Sequence, residues 1–211
     1  MFCRSAAPYV ENIGNGKGLE LIPFDNVEVI LGVPPYLVRH SATISDGFGD
    51  WRALLKYRLL SANEEAGNYL VTAFLDVSLP TSSTANGQPN AIVTPMLGYG
   101  KGFGRFDVQG TIGVALPLGN APLIGRTYTW NNAFQYQVFR RLWPEVEVNA
   151  TFFQDGQNSG HHQIFITPAL LIGRLALNRR VGLTVGAGVQ IAVSEFRTST
   201  HNVIVTARLP F

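Results

Sequence analysis

Glu145-Val146-Glu147-Val148-Asn149-Ala150-Thr151-Phe152 decides the fold class. Successive side chains of an extended chain point to opposite faces. Val146, Val148, Ala150 and Phe152 therefore share one face, and Glu145, Glu147, Asn149 and Thr151 the other. Thr127–Val138 repeats the pattern. Tyr128, Trp130, Phe134, Tyr136 and Val138 lie on one side, broken only by Asn132, with Thr127, Thr129, Asn131, Ala133, Gln135 and Gln137 opposite.

The same alternation spreads outward along the chain. Trp51, Ala53, Leu55, Tyr57 and Leu59 oppose Arg52, Lys56 and Arg58. Tyr69, Val71, Ala73, Leu75, Val77 and Leu79 oppose Thr72, Asp76 and Ser78, with Leu70 and Phe74 as exceptions. Phe106–Leu116 sets Val108, Ile112 and Val114 against Asp107, Gln109, Thr111 and Gly113; Val181–Val193 sets an apolar face against Gly182, Thr184, Gly186, Gly188 and Gln190. The chain ends Val203, Val205, Ala207, Leu209, Phe211, with Asn202, Thr206 and Arg208 between. Further strands are predicted near 27–38, 91–99 and 162–173, and a stub at Gly18–Ile22. No helical period competes. The expectation is an all-β, antiparallel up-and-down barrel of about 10–12 strands in a single domain spanning 18–211. Residues 1–17 are expected to be an irregular remnant of a missing first strand.

The connections are sorted by length. Arg39–Gly49, Pro80–Asn90, Pro117–Gly125, Gln154–His162 and Glu195–Thr200 are long and polar. Pro23–Asn26, Gly100–Gly104, Arg140–Trp143 and Asn178–Arg180 are short, and Ser61–Asn68 is the longest of the short set. Long loops at one rim and tight turns at the other is the plan of outer-membrane barrels.

Composition bounds the rest. The 211 residues carry 16 Lys+Arg against 14 Asp+Glu, a net charge of +2, so binding of nucleic acid through a basic surface is not expected. Charged residues are 14% and hydrophobic ones 46%, and mean hydropathy is +0.12, so a folded rather than a disordered chain is expected. Cys3 is the single cysteine, which leaves no internal disulfide and no cysteine-based zinc site. No window supplies the roughly 20 apolar residues of a membrane helix. Ile164–Leu177 contains Thr167, Pro168 and Arg174, and Val181–Ser194 is rich in glycine.

Period two is common to soluble and membrane barrels; what separates them is which face is apolar. Arg52, Lys56, Arg58, Asp76, Asp107, Glu145, Glu147 and Arg208 all fall on the polar side, and the other side is almost free of charge along the strands. A charge at the lipid midplane costs about 2–4 kcal/mol, which would enforce that purity. These eight residues are thus expected to line a lumen, with apolar side chains facing lipid. Trp51, Tyr57, Tyr69, Tyr128, Trp130, Tyr136, Phe152 and Phe211 are expected to form the interfacial girdles. About 11 residues at ~3.3 Å, tilted ~40°, rise roughly 28 Å, close to an apolar band of about 25 Å. A soluble β-sandwich is the competing reading, but its strands average about 5–6 residues.

Asp46-Gly47-Phe48-Gly49-Asp50-Trp51 followed by Lys56-Tyr57-Arg58-Leu59 resembles a strand opening in the phenol meta-pathway-like outer-membrane transporter family. Asp76-Val77-Ser78-Leu79-Pro80-Thr81 resembles that family's next strand end, and Asp25-Asn26-Val27-Glu28-Val29 with Gly32-Val33-Pro34 the strand before. The resemblance runs from about residue 18 to 211. It implies a Gram-negative outer-membrane barrel of about twelve strands that takes up small, often hydrophobic or aromatic compounds, with no catalytic residues. It also implies outer-membrane lipid as surroundings, and delivery to the barrel-assembly machinery through the terminal strand ending at Phe211. The chain is expected to depart from the pattern in having neither a leader nor a first strand.

Other chemistry is weakly signalled. His161-His162 reads as solvated loop rather than a metal site, because adjacent side chains diverge. Glu145 and Glu147 read as part of a ladder with the basic residues of neighbouring strands rather than as an acid–base pair. Gly98-Tyr99-Gly100-Lys101-Gly102-Phe103-Gly104 lacks the Lys-Ser/Thr and the helix of a phosphate loop and reads as a tight turn. No cofactor is expected. The function expected is passive, substrate-selective passage of small solutes. A structural or adhesion barrel plugged by its own side chains is the alternative, and a lipid-modifying barrel enzyme a more distant one.

Overall fold

The computed structural model describes residues 10–14, 18–83, 85–176 and 182–208. Its principal element is an eleven-stranded antiparallel sheet. In chain order the strands are β1 (Glu11–Ile13), β2 (Gly18–Phe24), β3 (Val27–Gly32), β4 (Tyr36–Val38), β5 (Gly47–Phe48), β6 (Trp51–Ala62), β7 (Tyr69–Leu79), β8 (Ile92–Phe103) and β9 (Phe106–Pro117). One helical turn, α1 (Ala121–Ile124), precedes β10 (Thr127–Tyr136), β11 (Leu142–Phe153), β12 (His162–Ala176), β13 (Gly182–Ala192) and β14 (His201–Arg208). The large sheet runs β14-β13-β12-β11-β10-β9-β8-β7-β6-β3-β2, and β1-β4-β5 form a separate small sheet.

The expected Gly18–Ile22 stub is a full strand, paired with β3 from Gly18↔Gly32 to Phe24↔Val27. The expected strand at 27–38 is split. Val33-Pro34-Pro35 interrupts it, because proline cannot donate to a ladder, and Tyr36–Val38 pairs instead with Glu11–Ile13. Part of the segment expected to be irregular therefore has a structural place over the long-loop end.

All five long connections (33–50, 80–91, 118–126, 154–161, 193–200) lie at one end of the large sheet. The described short turns lie at the other, as the spacing predicts. The outer strands β2 and β14 both run from the long-loop end toward the short-turn end. Among the described residues neither has a second neighbour.

The register sorts the side chains as the alternation predicts, but burial is inverted relative to an oil-filled core. Ala150 is the one buried hydrophobic residue among those described, whereas Thr72, Asp76, Glu145, Gln163 and Thr167 are buried. Leu75 beside Asp76 is 39% exposed against 7%, and Val146 beside Glu145 is 43% against 7%. The apolar face is thus the more exposed one, and the polar face the more buried. Lys101 lies on the apolar face at its short-turn end. Its ammonium turns back to the Gly67 carbonyl and sits 5.5 Å from the Phe103 ring centroid, a long side chain carrying its charge to the rim.

Two breaks in the alternation have structural causes. Leu59 is a bulge, so Leu60, not Leu59, stands opposite Val71. Asn132 lies on the apolar face, where it accepts a hydrogen bond from the Tyr99 hydroxyl, two strands away. Gly110 lies between them on β9. A Cβ there would meet Tyr99 Oη, Asn132 Oδ1 and the Asn131 carbonyl oxygen, each at 2.6 Å. Gly110→Ala is therefore expected to lower stability by on the order of 1–3 kcal/mol through overpacking. The thermal unfolding midpoint followed by far-UV circular dichroism checks this; an unshifted midpoint would contradict the tyrosine-over-glycine packing.

Candidate functional site

The eight charged residues expected to share a face do share one. Arg52 opposes Ser78, Lys56 opposes Phe74 and Arg58 opposes Thr72. Asp76 opposes Thr94, Asp107 opposes Gln135, Glu145 opposes Gln135 in turn, and Glu147 opposes Ala133. Arg208 opposes Thr184. Their partners differ in part from the expected ladder. Arg52 pairs with Asp76 on the neighbouring strand, as anticipated. Lys56 pairs with Glu28 of β3 at 2.8 Å. Arg58 bonds Asn26 Oδ1 at 2.8 Å and the Asp25 carbonyl at 2.6 Å. Glu145 accepts from Gln135, a neutral amide. Glu145 and Glu147 do not meet Lys56 and Arg58: β6 and β11 are five strands apart, a separation that sequence alone could not supply.

Of the expected girdle, Tyr57, Tyr69, Tyr128, Tyr136 and Phe152 are exposed on the apolar face, and Trp51 is half-buried there. Tyr69 and Tyr136 sit at strand ends by the short turns, Trp51, Tyr128 and Phe152 by the long loops. Tyr57 opposes Val27, next to a short turn. Trp130 is a correction: opposite Ile112 and Ala150, it stands in the body of the sheet rather than at a rim. Phe211 lies outside the described residues.

The largest feature that sequence reading did not single out is a chain of carboxamides across the polar face. Asn202 Nδ2 donates to Gln190 Oε1 at 2.8 Å, and Gln190 Nε2 to Asn149 Oδ1 at 3.3 Å. Asn149 Nδ2 donates to Asn131 Oδ1 at 3.2 Å, and Asn131 Nδ2 reaches Thr111 Oγ1 at 3.4 Å. Every link donates in the same direction, a sense in which dipoles reinforce. The Gln190–Asn149 link spans β12, over Thr167, which is 2% exposed with an unpartnered hydroxyl. The available signal was the recurrence of Asn and Gln at mid-strand polar positions, overshadowed by the charges.

Beside this chain lies a cavity of about 330 Å³, lined by Thr72, Phe74, Gly98, Gln109, Thr111 and Asn131, with Asn149 and Glu147 completing the far wall. Phe74, an exception to the alternation, lies flat against Gly98, where any Cβ would meet its ring. A second cavity of about 240 Å³ toward the long loops is lined by Arg52, Asp76, Ser78 and Thr94.

The long loops above are tied to one another. Asp50, 9% exposed, accepts from Ser82 Oγ at 2.8 Å, Ser82 N at 3.1 Å and Gln88 N at 2.7 Å. Asp46 accepts from Arg39 N at 2.7 Å, and Arg39 donates to Asn86 Oδ1 at 2.9 Å and the Ala85 carbonyl at 2.8 Å. Both acids of the Asp46–Asp50 motif thus act as loop fasteners. Its Gly47 lies close to Asn86, whose Nδ2 would be 2.7 Å from a Cβ there. Farther round, Phe196 stacks on His161 at 4.5 Å and meets Phe153 edge-on at 5.5 Å. His161 is thus a packed loop residue, while His162 opens β12 against Phe152.

Comparison with known proteins found no family model that matches the chain and no curated relative.

Arg126 and Asp155 join two more loops, with Arg126 Nε donating to Asp155 Oδ2 at 2.6 Å and the Arg126 amide also donating to that carboxylate. The hydrogen bonds from the Arg126 backbone and side chain hold the Asp155 carboxyl below its ordinary range. A depressed carboxylate stabilises above its unfolded pKa and loses that contribution as pH falls through the folded one. Hydrogen–deuterium exchange should show the Arg126 amide protected as pH falls through the ordinary carboxylate range, with protection lost only below it. Asp155→Asn should weaken protection at neutral pH and remove most of this pH dependence.

Proposed function

We propose that this protein is a β-barrel of the bacterial outer membrane that lets small solutes pass without chemistry or cofactor. The observation that carries the reading is the inversion of burial: aliphatic and aromatic side chains exposed on one face, hydrogen-bonded polar side chains enclosed on the other. Lipid is the surroundings in which such an exterior is stable. Strands such as β6, with 12 residues, would rise ~30 Å at a tilt of ~40°, enough to cross an apolar band of about 25 Å. Closure into a barrel is supported by the Gln190–Asn149 hydrogen bond, which reaches over an intervening strand. A polar face that is concave brings such side chains within range. The resemblance of the Asp46–Leu59 and Asp76–Thr81 stretches to phenol meta-pathway-like transporters supports the same assignment. The terminal strand ending at Phe211 would engage the barrel-assembly machinery.

A transverse arrangement of charge favours a selective path over a general one. Arg58 of β6, whose hydrogen bonds go to the neutral Asn26 side chain and the Asp25 carbonyl, lies five strands from Glu145 and Glu147 of β11, which in a ring of eleven or twelve strands is close to the opposite wall. A solute crossing between them meets a directed field. The plugged structural barrel remains the second reading, favoured by the hydrogen-bonded loops at one end.

Two measurements test these assignments. Val148→Lys, on the exposed face, should cost about 2–4 kcal/mol of folding into lipid vesicles, whereas Thr151→Lys on the enclosed face should cost less. Equal effects would overturn the membrane assignment. In planar bilayers the wild-type protein should conduct, and Arg52→Ala combined with Glu145→Ala should shift cation-over-anion selectivity. A silent wild type with a leaking double variant would instead establish the plugged barrel.

A further inference from the structure

The carboxamide chain says what kind of solute suits this lumen, an inference that rests on the channel reading above. Asn131 and Asn149 each spend one N–H and one carbonyl lone pair on their neighbours in the chain. A carboxamide has two N–H donors and two acceptor sites. Each residue therefore keeps one donor and one acceptor, side by side, along the wall of the 330 Å³ cavity. Hydroxyl groups match that arrangement, because each donates and accepts at once. Glu147, on the same wall, adds an acceptor for a further hydroxyl.

The rest of the lining is different in kind. The Phe74 ring packs against Gly98 and adds an aromatic, apolar surface, with no side chain at Gly98 or Gly100. An aromatic surface in the same cavity as paired donors and acceptors suits a ring whose faces carry C–H groups and whose edges carry hydroxyls. The volume is at the lower end of small-molecule pockets, about 300–1,000 Å³, which suits one ring rather than a chain of them. Glu147 is the one acidic or basic residue in the lining and serves as an acceptor; the charged pairs Arg52–Asp76 and Lys56–Glu28 lie outside this cavity. We infer that the cavity lined by Phe74, Asn131 and Asn149 is a binding station for a neutral, single-ring polyhydroxy solute of monosaccharide type.

The test uses the full-length protein in liposomes and planar bilayers, with D-glucose, benzyl alcohol and KCl as probes. Glucose should enter protein-containing liposomes faster than protein-free ones and should transiently block the KCl current, whereas benzyl alcohol should not block it. Asn131→Leu with Asn149→Leu should weaken glucose block by about fivefold or more, the equivalent of at least one neutral hydrogen bond, while KCl conductance persists. Should that variant fail to fold, Phe74→Leu supplies the same readout from the aromatic surface, with an expected loss of glucose block. KCl conductance without glucose block, or block equally strong in the variants, overturns the binding station and leaves the channel standing. Absence of both KCl conductance and solute entry overturns the channel, and the station with it.

Discussion

Everything in this molecule follows from enclosing polar side chains on a sheet that has no oily interior. Buried donors and acceptors cost free energy when left unmatched, about 1–3 kcal/mol each. The polar face answers with partners on adjacent strands, Arg52 with Asp76, Lys56 with Glu28 and Gln135 with Glu145, and with the carboxamide chain from Asn202 to Thr111, one link of which crosses β12. These contacts take over the role that interlocking apolar side chains have in a soluble core. They also fix register, since sliding one strand by a residue would turn every partner to the wrong face.

The glycines and small residues of the enclosed face serve the same end. Gly98 admits the Phe74 ring, and Gly113 and Gly186 lie against Met96 and Leu171. These three apolar intrusions into the polar face are thus seated against bare backbone. The loop end is organised by charge-assisted hydrogen bonds instead. Asp50, in the first long loop, gathers two backbone amides and a hydroxyl, and Asp155, in the fourth, one backbone amide and a guanidinium.

The faces of the strands were legible because period two needs only local sequence: Glu145–Phe152 and Thr127–Tyr136 read correctly residue by residue, and so did the sorting of long and short connections. What escaped was set by distant neighbours. Asn132 looked like a flaw in the alternation until Tyr99 was seen reaching it across Gly110. Leu59 looked apolar-facing because a bulge leaves no trace in a regular pattern. The split at Val33-Pro34-Pro35 was signalled by its prolines, but the new partner of Tyr36–Val38, at Glu11–Ile13, was not. Glu28 was missed as the partner of Lys56, and Gln135 as the partner of Glu145, which was expected in a ladder with basic residues, because alternation assigns faces without assigning neighbours. The resemblance to a transporter family rests on short motifs, and two residues of the strongest one, Asp46 and Asp50, turn out to fasten loops.

The directions of β2 and β14 carry one last consequence. Both descend from the long-loop end, so zipping one directly to the other would create a lone parallel seam in an otherwise antiparallel wall. Its slanted bonds are slightly weaker per residue. A single ascending segment slipped between them would instead give every neighbour an opposite heading. In the directly zipped arrangement this seam would be the weakest join of the sheet and the first to part.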